Sequence, residues 1–224
     1  MSIIPAPPDE SEPSVRLLFR LLLAVDIQGY SARSPRMQLQ AQLDLLEALE
    51  TAAKEAGLDR GTWLQQVSGD GELAVLPVDA DIVTVIGVFA PALERVLAEM
   101  NRRDARDPRL RARLAFHHGA VIMGRPVSLG PAGDAPVVVS RLLDARPLRR
   151  YLTVRPRRNV ALIVSAQVYR EVVCSGFCAL VPAHFRSIRT TIKGISYHGY
   201  IYDPDREGGK RNDGENALLT DEET

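Results

Sequence analysis

Two aspartates fall where carboxylates can do chemistry. Asp26 ends a long apolar run, in Ala24-Val25-Asp26-Ile27-Gln28-Gly29-Tyr30. A charge there is costly to bury and belongs at a sheet edge that water or a cation can reach. Asp70 lies in Ser68-Gly69-Asp70-Gly71-Glu72, between the apolar segments Trp63–Val67 and Leu73–Leu76. An Asp-Gly pair between two such runs predicts a β-hairpin. If the first strand lies beside that hairpin, both carboxylates converge at one end of the sheet. Two convergent carboxylates suit Mg²⁺ or Mn²⁺ when substrate phosphates supply the remaining oxygens. Each also has a plainer reading, with Asp26 capping a loop and Asp70 serving only as a turn residue.

Composition excludes much else. The chain has 224 residues, with 28 Lys+Arg against 28 Asp+Glu and no net charge. That balance argues against gripping nucleic acid or anionic lipid with the whole surface. A hydrophobic fraction of 46% with 25% charged residues describes a globular protein of one domain. The early apolar run Val15–Val25 carries Arg16 and Arg20 and falls short of the roughly 20 residues that a membrane span needs. No signal-peptide pattern precedes it, so a cytoplasmic protein is expected. Cys174 and Cys178 form a C-x3-C pair without a second pair, and His184 or His198 as zinc ligands would be guesses. Two buried thiols are the simpler expectation. No P-loop, dinucleotide fingerprint or nucleophile elbow is present.

The elements that must position the aspartates follow from periodicity. Residues 1–14, rich in Pro, Ser and acid, read as a flexible arm, and 205–224 as a disordered acidic tail, leaving 15–204 as one domain. Val15–Ile27 predicts a buried strand. Ser34-Pro35 opens a helix whose Leu39, Leu43, Leu46, Leu49 and Ala53 form one apolar stripe, closed by Gly57. The hairpin follows, then a helix over Asp81–Arg102 and a strand over Leu110–Met123. Further on come a helix over Pro136–Ala145, a strand over Val160–Val164, a short helix near Gln167–Val173, and strands around Phe185–Ile192 and Tyr197–Tyr202. The charged segment Arg102–Arg113 and the basic stretch Arg146, Arg149, Arg150, Arg155, Arg157 and Arg158 read as solvated loop and rim. The order predicts an α+β fold, a ferredoxin-like βαββαβ core with C-terminal additions and helices on one face.

Five segments in order resemble the class III nucleotidyl cyclase domain, the fold of adenylate and guanylate cyclases. They are Asp26-Ile27-Gln28-Gly29-Tyr30-Ser31; Gly69-Asp70-Gly71-Glu72-Leu73-Ala74, its aspartate 44 residues on; Ala115-Phe116-His117-His118-Gly119; Gly133 to Leu142 with Arg141; and Ile192-Lys193-Gly194. Each is weak alone, but together with the strands that carry them they cover residues 17 to 202. The resemblance implies two Mg²⁺ or Mn²⁺ ions held by Asp26, Asp70 and the Ile27 carbonyl. One would activate the ribose 3′-hydroxyl, and the other would clamp the leaving pyrophosphate. Arg141 would reach across a homodimer interface to the α-phosphate, and Lys193 would neutralise the terminal phosphates. A heterodimer would serve equally.

Three positions depart from the family pattern. The base-reading lysine is replaced by Gln66, the base-reading aspartate by Gly130 and the ribose-orienting asparagine by Val137. Asp134 is a candidate substitute acid. His117 and His118 sit within a family motif, where structural hydrogen bonding is the expected role. Phosphate and metal recognition therefore read as kept and purine recognition as lost. The expected function is a divergent cyclase acting on an NTP of unusual base, with a pyrimidine as a candidate. The alternative is a degenerate domain that binds nucleotide or dimerises as a regulatory module.

Overall fold

The computed structural model describes residues 15–104, 107–124 and 130–206. The arm 1–14 and the tail from 207 onward lie outside the described residues. Among the described residues, seven strands form one sheet in the order β2-β3-β1-β4-β5-β7-β6. The first strand, β1 (Arg16–Ile27), pairs antiparallel with both β3 (Gly71–Val75) and β4 (Ala112–Met123). The edge strand β2 (Leu64–Ser68) closes the hairpin with β3. The order β2-β3-β1-β4 is the one a βαββαβ unit generates when both of its crossovers pack onto one side. Beyond it, β5 (Val160–Ser165) runs parallel to β4, and the hairpin of β6 (Phe185–Ile192) and β7 (Ile195–Tyr202) completes the sheet.

The expectation of helices on one face is corrected: both faces are covered. Successive side chains of a strand alternate between faces. Leu21, Leu23 and Val25 of β1 pack with α1 (Pro35–Glu55) and α3 (Ala90–Arg103). Leu22 and Ala24 join a second core with α4 (Asp134–Leu143) and α5 (Arg146–Val154). This double cover is why β1 is apolar at every position from Leu21 to Val25. The helix α5 lies inside the basic stretch. Its arginines conceal the apolar period of Pro147, Leu148, Tyr151 and Leu152, all buried. Nor is the stretch a simple solvated rim: Arg155 pairs with Asp203, Arg158 with Asp205 and Arg149 with Asp144. The charged segment before β4 is likewise stitched down, Arg111 donating to the carbonyls of Leu152, Arg155 and Arg158.

Helix α1 also departs from expectation. Leu49 and Ala53 are buried as predicted, but Leu39, Leu43 and Leu46 are 58%, 53% and 47% exposed. The face turned inward carries Ala41, Leu45, Ala48 and Ala52 instead. Alanines let α1 lie close to α3, so its packed side mixes small residues with Leu45 and Leu49. The long helix after the hairpin is composite: a short α2 (Ile82–Thr84), one π-helical turn (Val85–Phe89) and α3. A short α6 (Ala166–Glu171) follows β5, capped by the Ser165 hydroxyl. Cys174 is exposed and Cys178 partly so, which corrects the expectation of two buried thiols.

Candidate active site

The hairpin turn is a two-residue one, Gly69-Asp70, with Ser68 opposite Gly71 and Gly69 at φ 53°. It sits one residue earlier than the Asp-Gly pair implied. Asp26 lies opposite Gly71 across the β1–β3 ladder. The Ile27 amide donates to the Asp70 carbonyl at 2.9 Å. Asp26, the Ile27 peptide and Asp70 therefore meet at one end of the sheet. Gly71 makes this approach possible. A Cβ there would stand 2.3 Å from the Val25 carbonyl oxygen and 3.2 Å from the Asp26 Cα, and backbone cannot yield as a side chain can.

Outlying residues fix the turn. Gln42 of α1 donates to the Gly69 carbonyl at 2.6 Å. Behind the hairpin, Arg60 is fully buried and holds Glu72 in a two-pronged ion pair, Nη2–Oε2 2.9 Å and Nη1–Oε1 3.2 Å. Its Nε donates to Glu50, and its guanidinium lies 5.3 Å from the centre of the Trp63 ring. A planar guanidinium satisfies such a pair of carboxylates better than an ammonium can.

Asp26 is 14% exposed and is gripped bidentately by Arg113, the residue opposite it on β4. Desolvation nevertheless pushes its pKa up to about 6. Arg113 opposes that shift, while the carboxylates of Asp70 and Asp144 add to it. Asp26 and Asp70 thus place two carboxylates beside one guanidinium, Asp144 being paired with Arg149. Two neighbouring carboxylates and a carbonyl form an all-oxygen donor set that fits a hard divalent cation. Among the described residues no group of three or more His, Cys, Asp or Glu could hold a metal. Two carboxylates and a carbonyl would need oxygens from a bound ligand to complete a coordination shell.

Gln66 and Gly130, the two positions expected at the base, touch. A Cβ on Gly130 would lie 2.4 Å from Gln66 Oε1 and 2.9 Å from Nε2, so the Gln66 amide fills the space that a side chain at 130 would take. Gly130 also holds φ 75°, which glycine adopts without strain. Val137 and Arg141 share the outer face of α4, with Val137 46% exposed. Asp134 is exposed in the first turn of the same helix. Arg141 forms no hydrogen bond or ion pair with Asp26 or Asp70. Lys193 (φ 51°) and Gly194 (φ 78°) make the two-residue turn of the β6–β7 hairpin, the positive-φ pair that such turns favour. Asp26 is level with Arg113 and hence with Ala161 of β5. Because β7 runs antiparallel to β5, Lys193 lies at the opposite end of the sheet, roughly 30 Å away at about 3.3 Å per strand residue.

Solved structures share this fold. The adenylyl cyclase CyaB from P. aeruginosa aligns with TM-score 0.60 and 14% identity, over 88% of this chain and 100% of that one. An adenylate/guanylate cyclase/hydrolase from Silicibacter pomeroyi gives TM-score 0.60 and 21% identity, over 86% and 99%. The guanylyl cyclase Cya2 gives 0.59 and 15%, over 89% and 97%. The chain has the class III nucleotidyl cyclase fold. No protein-family model matches the sequence, and no curated protein matches it significantly.

Within the cyclase fold, three residues at this site escaped the sequence. Arg113 and Gly71 act through cross-strand register, which spacing along one strand does not reveal. Arg60 reads as one arginine among many, and only its burial singles it out. The adjacent His117 and His118 are both partly buried, and the ring of His117 is perturbed. Its Nδ1 is buried without a hydrogen-bond partner among the described residues, and burial, with His118 adding, lowers its pKa to about 4. The expected structural hydrogen bond is therefore missing at that nitrogen.

Proposed function

We propose that this chain is a divergent nucleotidyl cyclase, converting an NTP to a 3′,5′-cyclic nucleotide and pyrophosphate at a site shared between two copies. The observation that carries this reading is the convergence of Asp26, Ile27 and Asp70 at one sheet end, within the cyclase fold. The fold neighbours described as adenylyl and guanylyl cyclases support the reaction class. Divalent cations, held by Asp26, Asp70 and the Ile27 carbonyl, would supply activation of the 3′-hydroxyl and charge neutralisation on the phosphates. Arg113 competes for Asp26 and must turn aside when a cation loads. Until then it keeps that carboxylate paired in a nearly dry site.

Arg141 and Lys193 complete the site from a second copy. A lysine side chain cannot cover a separation of order 30 Å, so Lys193 serves phosphates bound at another chain's Asp26. Arg141 would then stabilise charge developing on the α-phosphate, and Lys193 would hold the terminal phosphates. A homodimer is the simplest assembly, and a heterodimer would place the residues equally. The Gln66 amide both donates and accepts. It sits where the family's ammonium–carboxylate pair reads a purine, which favours a different base, a pyrimidine among them.

Val137 supports a second reading. An apolar, half-exposed side chain replaces the ribose-orienting amide beside Arg141, as in a degenerate domain that binds nucleotide or dimerises without turnover. One experiment separates the two: incubate the purified chain with each of the four NTPs and Mn²⁺, and assay for cyclic product. Product from one or more NTPs, lost in Asp70→Ala, supports the enzyme. No product from any NTP, with Asp70→Ala unchanged in nucleotide binding, overturns it.

A further inference from the structure

The sheet splits on the far side of β5. The β5–β7 ladder covers only Ile163–Ser165 against Gly199–Ile201. Val160, Ala161 and Leu162 therefore have no ladder partner on that side among the described residues, because the chain from Tyr202 turns away. The gap is a cavity of about 180 Å³. The side chains of Val160 and Leu162 form one wall. Ala90 and Pro91, at the start of α3, form the other. They directly follow the π-helical turn, a distortion that recurs at functional sites. Tyr151 and Tyr202 close the cavity, and Glu94 and Arg158 stand at its rim.

The two rim charges are not equivalent. Glu94 is saturated: its oxygens accept from the Asn159 amide, the Asn159 side chain and the Val160 amide at 2.6–3.1 Å. Tyr151 is committed too, its hydroxyl donating to Asp203 at 3.2 Å, and burial beside that carboxylate raises its pKa so that it stays neutral. Arg158 spends Nε and Nη2 on Asp205, whose side chain is 61% exposed and can be displaced by a competing anion at little cost. The cavity therefore offers an apolar slot with one exchangeable positive charge at its mouth.

We propose that this cavity binds a small organic anion, a single aromatic ring or short branched chain bearing one carboxylate. The apolar body lies between Ala90-Pro91 and Val160-Leu162, and the carboxylate takes the place of Asp205 on Arg158. The volume suits that class, since a cavity of about 150 Å³ lined by apolar side chains holds a benzene-sized molecule. The proposal does not depend on catalysis at Asp26.

The test is a titration of the full chain with benzoate, the neutral isostere benzamide, and acetate, followed by amide chemical shifts and thermal unfolding. Saturable benzoate binding is expected, about tenfold or more tighter than benzamide, as a charge-assisted bond to a guanidinium provides, with acetate inert for want of a ring. Arg158→Gln should bring benzoate and benzamide to the same affinity, and Ala90→Leu should abolish both by filling the slot. No saturable benzoate response, equal affinity for benzamide in the unmodified chain, or unchanged benzoate binding in Arg158→Gln would each overturn the proposal. Should Ala90→Leu fail to fold, the other comparisons decide the question alone.

Discussion

His117→Phe is the perturbation whose size follows most directly from this fold. The imidazole lies against Gly119, where a Cβ would stand 2.7 Å from Nε2, and burial holds its pKa near 4 instead of 6.5. A group whose folded pKa is depressed stabilises above its unfolded pKa and loses that contribution as pH falls toward the folded value. Acidifying from pH 7 to 5 should therefore cost about 2 kcal/mol at this one residue if the full shift acts. The ring is partly exposed, so solvent screening reduces the expected loss to about 1 kcal/mol. Phenylalanine keeps the ring and cannot protonate. Urea unfolding of both proteins at pH 7 and pH 5 reads the effect as a difference of differences, with other titrating groups cancelling. The variant should gain about 1 kcal/mol on the wild type between the two pH values. A parallel acid response of the two proteins would refute the assignment of a buried neutral imidazole.

Other perturbations test the site itself. Gly130→Asp alone should destabilise by about 1 kcal/mol, because a side chain must enter a left-handed position and push Gln66 aside. If a product is found, the double change Gln66→Lys, Gly130→Asp should shift preference toward purine triphosphates, and unchanged preference would refute the base-pocket assignment. Arg60→Ala strands Glu72 in a buried site and should cost about 3–5 kcal/mol, read by denaturant unfolding, whereas a loss below about 1 kcal/mol would show that the ion pair is not isolated from water. Gly71→Ala should weaken Mn²⁺-dependent thermal stabilisation together with basal stability, since its Cβ meets the Val25 carbonyl. An unchanged Mn²⁺ response would show that the Asp26–Asp70 approach does not depend on that glycine.

How much of this was legible in the sequence depends on which interaction fixed each element. Strand β1 and the 64–75 hairpin follow from local patterns, an apolar run and a Gly-Asp-Gly turn, so they could be read directly. The convergence of Asp26 with Asp70 hung on the pairing of β1 with β3, a condition the sequence left open. Helix α5 could not, because its three arginines, Arg146, Arg149 and Arg150, mask a clear apolar period in composition. The α1 stripe misled for the opposite reason. Leu39, Leu43 and Leu46 satisfy a helical spacing, yet the face packed inward is the neighbouring one that carries Ala41, Leu45, Ala48, Leu49 and Ala52. Gln66 and Gly130 were legible as departures from a family pattern. That one side chain fills the space left by the other is a fact of long-range packing.

Asp26 and His117 titrate in the same window with opposite sign, and this shapes the pH response of the whole chain. The folded pKa of Asp26, about 6, is raised above the unfolded value of 3.8 by burial. Such a carboxyl favours folding when protonated, and stability falls as pH rises from about 4 through 6. Acidification from pH 7 to 5 thus gains about 1 kcal/mol at Asp26, while His117 loses a similar amount. Wild-type stability should be nearly flat across that interval so far as these two groups set it. His117→Phe should unmask a rise on acidification, and Asp26→Asn should unmask a fall. If Mn²⁺ stabilises the wild type, Asp26→Asn should lose that stabilisation, which separates a metal-ligand carboxylate from one that merely pairs with Arg113. Two variants with slopes of the same sign would refute the compensation.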